Sequence, residues 1–279
     1  MSATVVNPAA DTPAVEAIKV VRRFGDFVAV DQLNLRVDRG QFFGFLGPNG
    51  AGKSTTIKML TGLLAPSGGR VRVLGLDAPA AALEIKRRIG VVPEDLNLFE
   101  RLTGAEMLTF TGRMYGLDRR DTSERTHELL ELMELDEDPR RLVVEYSHGM
   151  KKKLSLACAL IHRPEILFLD EPFEGVDAIA SRMLKELMQR FTARGMTIFL
   201  TSHVLEIVER LCTEIAIINR GRLVAAGPLD ELRARIAIGD GASGEMLSLE
   251  DYFIRAVQGE EHANSSATEQ GKTALSWLT

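Results

Sequence analysis

One segment of the chain carries residue types that can hold a row of phosphate groups. It fits the pattern G-x-x-x-x-G-K-[ST], and its residues are Gly47, Pro48, Asn49, Gly50, Ala51, Gly52, Lys53, Ser54 and Thr55. Glycines permit a positive φ and let backbone N–H groups approach an anion closely. Lys53 can supply a charge for the β- and γ-phosphates, and the Ser54 hydroxyl can ligate Mg²⁺. A buried strand is expected at Gln41–Leu46 and a helix at Thr55–Leu60, so a helix N-terminus would face the phosphates. This context favours a nucleoside triphosphate site over a glycine turn that binds nothing.

Two adjacent carboxylates follow an apolar strand far downstream. The strand is expected at Ile166–Leu169, and Asp170 and Glu171 come directly after it. In phosphoryl-transfer sites the first acid of such a pair holds Mg²⁺, usually through water. The second acid can orient or deprotonate the attacking water, which contributes roughly 10²–10⁴-fold to the rate. Adjacent acids can also cap a helix, but their place after a buried strand and a phosphate loop favours catalysis.

A histidine and an aspartate near other predicted element ends leave two interpretations open. His203 follows the strand that ends Phe199-Leu200-Thr201-Ser202. A lone histidine there is more often structural, although a neighbouring strand end would let its imidazole reach the γ-phosphate or the catalytic water. Asp177 can act in catalysis or serve only as the helix N-cap before Ala178.

The composition excludes several classes of protein. The 279 residues are 45% hydrophobic and 26% charged, which is ordinary for a globular protein. A net charge of −5 argues against nucleic acid as the main partner. No apolar stretch is long enough to span a membrane, and residues 1–12 do not resemble a signal peptide. Cys158 and Cys212 lie in apolar helical patterns, which indicates core thiols in a reducing compartment rather than a disulfide. We therefore expect a cytoplasmic protein.

The hydrophobic pattern predicts an α/β protein with two additions. Antiparallel strands are expected first, at Ala17–Arg22, Val28–Val30 and Leu33–Val37, with a turn at Gly25. Strands then alternate with helices, namely a strand at Arg70–Leu74, a helix at Ala80–Arg88 and strands at Ile89–Val92, Ile166–Leu169, Met196–Leu200 and Glu214–Ile218. Two amphipathic helices are expected between Leu102 and Glu137 and indicate an inserted helical subdomain. A short helix after Gly227-Pro228 and another near Leu249–Val257 are separated by a Gly/Ser-rich break.

The segment that best indicates the protein's family lies upstream of the strand that precedes the acid pair. It reads Tyr146-Ser147-His148-Gly149-Met150, and Lys151, Lys152 and Lys153 follow. With the phosphate loop, the paired acids, Gly175-Val176-Asp177 and His203, it resembles the ABC-transporter ATPase family over about residues 16–227. The resemblance implies a P-loop NTPase core that binds ATP and Mg²⁺ and dimerises head to tail. Ser147, His148 and Gly149 would then face the ATP of the other copy, Asp177 would form the D-loop, and His203 would be the switch histidine. The lysine triplet can be a phosphate patch, although a solvated helix face is favoured.

Three departures from the family pattern indicate a sub-group. The usual Leu-Ser-Gly-Gly-Gln signature is Tyr-Ser-His-Gly-Met, and Glu94 stands where the family has a glutamine. Its carboxylate can ligate Mg²⁺ but adds negative charge beside the phosphates. Phe24 replaces the tyrosine that stacks on adenine, a mild change because stacking needs only the ring, while core packing of Phe24 is the alternative. For His148 we favour a solvent-exposed or interface position over a γ-phosphate contact. These variants resemble ABC-2-type exporters and their Ecs-like relatives.

The resemblance implies a domain organisation and a role. It places a flexible N-terminus at residues 1–14, an ABC ATPase domain at 15–230 with a helical subdomain at about 95–160, a C-terminal extension at 231–258 and a flexible tail at 259–279. The implied role is ATP hydrolysis that drives a separate membrane permease, an exporter, from the inner face of the membrane. The permease would dock near Glu94–Tyr115. The alternative is a non-transport ABC ATPase that acts on ribosomes or DNA, against which stand the acidic balance and the single nucleotide domain.

Overall fold

The computed structural model describes residues 12–233 together with residues 250 and 253. The chain divides into two compact units, Met1–Leu229 and Asp230–Thr279. Residues 229–233 are helical, as expected after Gly227-Pro228. Residues 250 and 253 are helical, within the helix expected near Leu249–Val257. The predictions for most of the N-terminus, the Gly/Ser-rich break, the rest of that helix and the tail lie outside the described residues, and the domain limits stay predictions.

Strands and helices alternate along most of the first unit, as the hydrophobic pattern predicts. In chain order the elements are β1 Val15–Phe24, β2 Phe27–Val37, β3 Phe42–Leu46, α1 Lys53–Leu60, β4 Gly68–Val73, β5 Leu76–Asp77, α2 Ala82–Arg88, β6 Ile89–Val92, α3 Gly104–Met114, α4 Arg119–Leu132, α5 His148–Leu160, β7 Ile166–Asp170, α6 Ala178–Ala193, β8 Thr197–Ser202, α7 Leu205–Leu211, β9 Glu214–Asn219 and β10 Arg222–Pro228. A 3₁₀ turn at Val143–Glu145 precedes α5. In the described part of the chain, no helix combines the length and apolarity needed to cross a bilayer.

An antiparallel sheet forms from the N-terminal strands in the order β2-β1-β4-β5. The hairpin of β1 and β2 turns at Gly25, whose φ is +57°, as predicted. The two strands expected at Val28–Val30 and Leu33–Val37 are one continuous strand. Gln32, whose φ is +49°, lies within it where the register with β1 shifts. The break in the hydrophobic alternation is therefore a bulge, which leaves the strand continuous.

The second sheet is parallel except at one edge and has the order β10-β9-β3-β8-β7-β6. Strands β3, β8 and β7 are neighbours, so the loops after their carboxyl ends lie side by side. The phosphate-loop candidate follows β3 and His203 follows β8, while the acid pair lies at the end of β7. The topology thus brings the predicted site residues to one edge of the sheet.

One core connects the two sheets. Phe199 lies between Phe43, Phe45 and Phe168, with ring centroids 5.5, 5.6 and 5.5 Å from its own. The same apolar cluster includes Val30 and other residues of the antiparallel sheet. Truncating a fully buried phenylalanine of this kind costs about 3–5 kcal/mol. The rings therefore fix β3, β7 and β8 relative to one another.

Two helices, α3 and α4, lie between Leu102 and Glu137, as the hydrophobic pattern predicts. Helices α3 and α4 pack on each other, and each begins at a side-chain cap, Thr103 for α3 and Asp118 for α4. Three strands and helices were missed, and one of them, β5, has only two residues. Helix α7 is only seven residues long, and β10 contains alanine, glycine and proline, which are depleted in strands.

Cys158 and Cys212 are free and buried, as predicted. Burial raises the pKa of the Cys158 thiol to about 11, and burial also raises the pKa of Cys212. Neither thiol has the lowered pKa of a reactive cysteine.

Candidate nucleotide site

The phosphate-loop candidate runs from the end of β3 to the start of α1. Two of its glycines are required by close backbone neighbours. A Cβ on Gly47 would lie 2.4 Å from the Ile218 carbonyl oxygen, and one on Gly52 would lie 2.6 Å from that of Ala29. Gly52 also has a φ of +106°, a conformation that side chains rarely adopt. Helix α1 begins at Lys53, two residues earlier than expected, so Lys53 lies in its first turn.

The ammonium of Lys53 is enclosed by the loop. Its Nζ donates to the carbonyl oxygens of Gly47 at 2.7 Å and Pro48 at 3.3 Å. It also forms an ion pair with Glu171 Oε1 at 3.2 Å, and each of the two side chains is only 6% exposed. The second predicted acid is therefore in direct contact with the predicted phosphate-binding cation.

The acid pair is held by the neighbouring strand. The Thr201 hydroxyl donates to Asp170 Oδ1 at 2.6 Å and accepts from the Glu171 N–H at 3.1 Å. Glu171 Oε2 lies 3.1 Å from His203 Nδ1, and the contact of His203 with the γ-phosphate or the catalytic water stays a prediction. The sequence interpretation missed Thr201. Its place at the end of a strand, two residues before His203, was the available signal.

Glu94 lies across the loop from the start of α1. The Ser54 hydroxyl donates to Glu94 Oε2 at 3.5 Å. No cluster of three or more His, Cys, Asp or Glu side chains that could hold a metal by themselves occurs within the described ranges. Mg²⁺ at nucleotide sites needs only one or two protein ligands besides phosphate and water, so this absence is compatible with the predicted set of Ser54, Glu94 and Asp170.

A cavity of about 310 Å³ lies over the loop. Its lining residues are Phe27, Ala29, Pro48, Asn49, Gly50, Gly52, Lys53, Ser54, Thr55, Glu94 and Glu171. Phe24, the predicted adenine partner, is the cross-strand neighbour of Phe27. It is 47% exposed, which excludes the core-packing alternative, and the Arg22 guanidinium lies 4.5 Å from its ring centroid. Phe27 is 64% exposed and was missed by the sequence interpretation.

The signature segment forms the N-terminus of α5. Ser147 is exposed and caps the helix by accepting from the Met150 N–H at 3.2 Å. His148 is exposed, one of the two positions favoured for it, and its Nε2 lies 3.2 Å from the Glu174 carbonyl oxygen of the same chain. Gly149 is buried, and a Cβ there would lie 3.3 Å from Asp177 Oδ2. None of the three signature residues lines the cavity of its own chain.

Asp177 acts as the predicted N-cap. Its Oδ1 accepts from the N–H groups of Ala180 at 2.9 Å and Ile179 at 3.0 Å. These bonds, that of Ala180 first, lower the pKa of the carboxyl. A role in the D-loop stays a prediction.

Comparison with known proteins decides the family. The family model described as ABC transporter matches residues 30–174. The chain belongs to the ABC transporter family. It is 37% identical over 252 residues to the probable multidrug ABC transporter ATP-binding protein YbhF of Escherichia coli (strain K12), covering 90% of this chain and 43% of that protein. It is 34% identical to the linearmycin resistance ATP-binding protein LnrL of Bacillus subtilis (strain 168), covering 89% of this chain and 80% of that one.

A solved structure extends the likeness to the fold. The ATP-binding subunit of an ABC transporter matches with a TM-score of 0.78 and 30% identity, covering 87% of this chain and 99% of that one. The predicted ABC family, its P-loop NTPase fold and an ATP-binding ATPase domain are therefore confirmed. The chain spans less than half the length of YbhF, 43%.

One interpretation of this ABC domain was wrong. Two of the three lysines expected on a solvated face of α5 are buried, Lys152 at 2% exposure and Lys153 at 8%. Lys151 forms an ion pair with Glu100 at 2.8 Å, and Lys153 forms one with Glu134 at 2.9 Å. The sequence pattern around α5 predicted that these lysines are exposed, because lysine is rarely buried. In the structure each ammonium instead has acceptors in a neighbouring segment.

Proposed function

We propose that this chain is the ATP-hydrolysing subunit of an ABC transporter and drives a separate membrane permease, an exporter, from the cytoplasmic face of the membrane. The observation that carries the proposal is the position of Glu171. This carboxylate is buried beside the phosphate loop, between Lys53 and His203. YbhF and LnrL are named as multidrug and linearmycin resistance proteins, which supports export as the direction.

The chain's oxygen ligands fit Mg²⁺, which prefers hard oxygen donors. Ser54, Asp170 and Glu94 would hold the ion. Asp170 is only 5% exposed, and its Oδ1 is the acceptor for Thr201, which orients the carboxylate. Bound Mg²⁺ would neutralise charge on the β- and γ-phosphates. The backbone N–H groups at the start of α1 and the Lys53 ammonium would hold the phosphates themselves.

Glu171 would act as the general base. It would accept a proton from the water that attacks the γ-phosphate, while His203 holds Oε2 and orients the carboxylate. Lys53 must exchange Glu171 Oε1 for phosphate oxygens when ATP enters, which frees that oxygen for the water. Binding of ATP would therefore release Glu171 from its ion pair and allow it to act as the base.

A second copy of the domain, or a related one, would complete each site. Ser147, His148 and Gly149 lie at the N-terminus of α5, away from the residues that line the chain's own cavity. Helix N-termini attract anions, so these residues suit the ATP held by the opposite subunit. Two ATP molecules would close the dimer, because they bind the closed state better.

An exposed apolar patch is a candidate contact for the permease. We define the docking patch as Leu83, Met114 and Tyr115, which are 66%, 71% and 38% exposed. These residues line a cavity of about 430 Å³ together with Lys86, Arg87 and Gly116. The patch includes the end of the segment expected to bind the permease, Glu94–Tyr115. Its basic rim favours a permease segment that carries apolar and acidic side chains.

The test combines activity with fractionation. The purified chain is expected to hydrolyse Mg·ATP, and tagged chain is expected to co-purify with a membrane protein rather than with ribosomes or DNA. The double variant Leu83→Ser, Met114→Ser should lose the membrane protein and keep its basal ATPase rate. Ile18→Ser, which alters an apolar side chain of β1 that is 41% exposed, is the control. Recovery with ribosomes or DNA alone would establish the non-transport alternative.

A further inference from the structure

Lys152 connects two segments of the nucleotide site. It lies in α5 with only 2% of its surface exposed. Its Nζ donates to the carbonyl oxygen of Glu171 at 3.2 Å and to that of Glu94 at 3.3 Å. Glu94 follows β6 and Glu171 follows β7, and these strands are paired neighbours. One ammonium therefore joins the backbones of the two residues whose carboxylates face the cavity.

The backbone of Glu171 has a conformation that needs support. Its φ is +46°, in the left-handed region that residues other than glycine seldom adopt. Such conformations cost about 1–3 kcal/mol and persist only where the surroundings hold them. The Thr201 hydroxyl holds the Glu171 N–H at 3.1 Å, and Lys152 holds its carbonyl at 3.2 Å. Contacts on both sides thus fix this residue.

The electrostatic surroundings of Lys152 favour a cation at this position. Burial lowers its pKa, whereas the carboxylates of Glu174, Glu94, Asp170 and Glu171 raise it. Several acids thus converge on one buried cation, and one of them is the acid that stands in place of the family's glutamine. A neutral side chain would leave these carboxylates without that charge and two carbonyls without their donor.

We infer that Lys152 is a positioning residue for ATP hydrolysis: it holds the backbones of Glu94 and Glu171 in place, so that the first carboxylate faces the candidate metal position and the second faces the γ-phosphate. The inference rests on the proposed function. It assigns to the interior of α5 a role in the chain's own ATP site, separate from the role of Ser147 toward the partner's ATP.

The neighbouring lysine provides a matched control. Lys153 lies in the same helix, is 8% exposed and pairs with Glu134 in the helical subdomain. Lys152→Met and Lys153→Met each remove one buried ammonium and keep most of the apolar stem. A purely structural effect would appear in both variants as lower stability, with activity unchanged.

The experiment measures kcat and KM for ATP in both variants. It also measures the Mg²⁺ concentration needed to saturate the complex with a fluorescent ATP analogue, and amide hydrogen exchange in residues 93–96 and 171–174. We expect Lys152→Met to lower kcat about tenfold or more, as for loss of a hydrogen bond to a charged group, with KM little changed. It should also raise the Mg²⁺ requirement and speed exchange in both segments. Lys153→Met should match the wild type in all of these, and Lys152→Arg should recover most of the kcat.

Each outcome decides the question. Equal kcat, Mg²⁺ requirement and exchange in the two methionine variants would overturn the inference. An inactive wild-type chain would refute the proposed function alone, because Mg²⁺ binding and exchange still separate the two lysines. Should Lys152→Met not fold, Lys152→Gln takes its place. A kcat near that of the wild type in Lys152→Arg but not in Lys152→Gln would support the inference. A kcat near that of the wild type in both variants would contradict it.

Discussion

Replacing Glu171 with glutamine tests the link between ATP binding and the catalytic base. Glu171 Oε1 and Lys53 Nζ form a buried ion pair 3.2 Å apart. ATP phosphates need the same ammonium, so binding must break this pair. Removing the negative charge should therefore destabilise the nucleotide-free protein and strengthen ATP binding. Hydrolysis should stop, because the amide cannot act as a base.

The surroundings of Lys53 set the size of the effect. Breaking a buried pair by removing one partner can cost about 3–5 kcal/mol. Here Lys53 keeps the carbonyl oxygens of Gly47 and Pro48 as acceptors, so its charge is not left without a partner. The loss should thus resemble that of one hydrogen bond to a charged group, about 1.5–3 kcal/mol. At 1.36 kcal/mol per tenfold, ATP should bind the variant roughly 10- to 150-fold more tightly.

The assay is titration of a fluorescent ATP analogue into the monomer without Mg²⁺, together with denaturant unfolding of the empty protein. His203→Ala, which leaves the Glu171 charge in place, is the control. The Glu171→Gln variant should also hydrolyse ATP about 10²–10⁴-fold more slowly and form an ATP-dependent dimer on size exclusion. Unchanged or weaker ATP affinity would refute the competition between carboxylate and phosphate, and wild-type turnover would show that Glu171 is not the base.

Further predictions concern the loop, the signature and the half-buried His162. Lys53→Ala should abolish tight binding of the fluorescent analogue, since it removes the cation inside the phosphate loop, and unchanged affinity would contradict that assignment. Ser147→Ala should slow hydrolysis by the dimer far more than it weakens ATP binding by the monomer. His148→Gly should keep ATPase activity. His148→Pro should fold, because proline fits the first position of a helix, but lose activity with the missing N–H. His162 should make stability depend on pH. Burial lowers its pKa, its Nε2 lies 2.9 Å from the Ile89 carbonyl oxygen, and its buried Nδ1 has no hydrogen-bond partner within the described residues. The unfolded state therefore binds the proton more readily, so the free energy of unfolding should fall as the pH drops below about 6.5. Denaturant titrations at pH 7.5 and 5.5 should show this fall, and His162→Gln should reduce it.

The main features of the site could be predicted because their determinants are close together in the sequence. An apolar strand, a glycine-rich loop and a helix start occupy consecutive positions around Lys53. The acids Asp170 and Glu171 directly follow another apolar strand. Parallel strands then place such loops at one edge of the sheet, so local patterns sufficed to predict which side chains would meet.

The parts that escaped prediction depend on contacts between distant segments. The burial of Lys152 requires carbonyl oxygens from the ends of two strands, and helical periodicity indicates neither of them. Thr201 orients the acid pair from a neighbouring strand. Phe27 was missed because its position across the hairpin from Phe24 follows from the register of β1 and β2. Residue identity alone suggests a solvated lysine and an ordinary strand threonine.

Helix α5 can couple the two ATP sites of the proposed dimer. Its N-cap, Ser147, would contact the partner's nucleotide, and Lys152, five positions later, holds the backbones of Glu94 and Glu171 in its own chain. Five residues of α-helix span about 7.5 Å, and a hydrogen-bonded segment of that length moves nearly as one body. A shift of Ser147 during dimer closure would therefore displace Lys152, and with it both carbonyls, by nearly the same distance. Coupling of this kind needs an element whose position both sites influence. Helix α5 would meet that condition, because its N-terminus would face the neighbouring ATP in the proposed dimer while Lys152 contacts the backbones of the proposed base and of a candidate metal ligand.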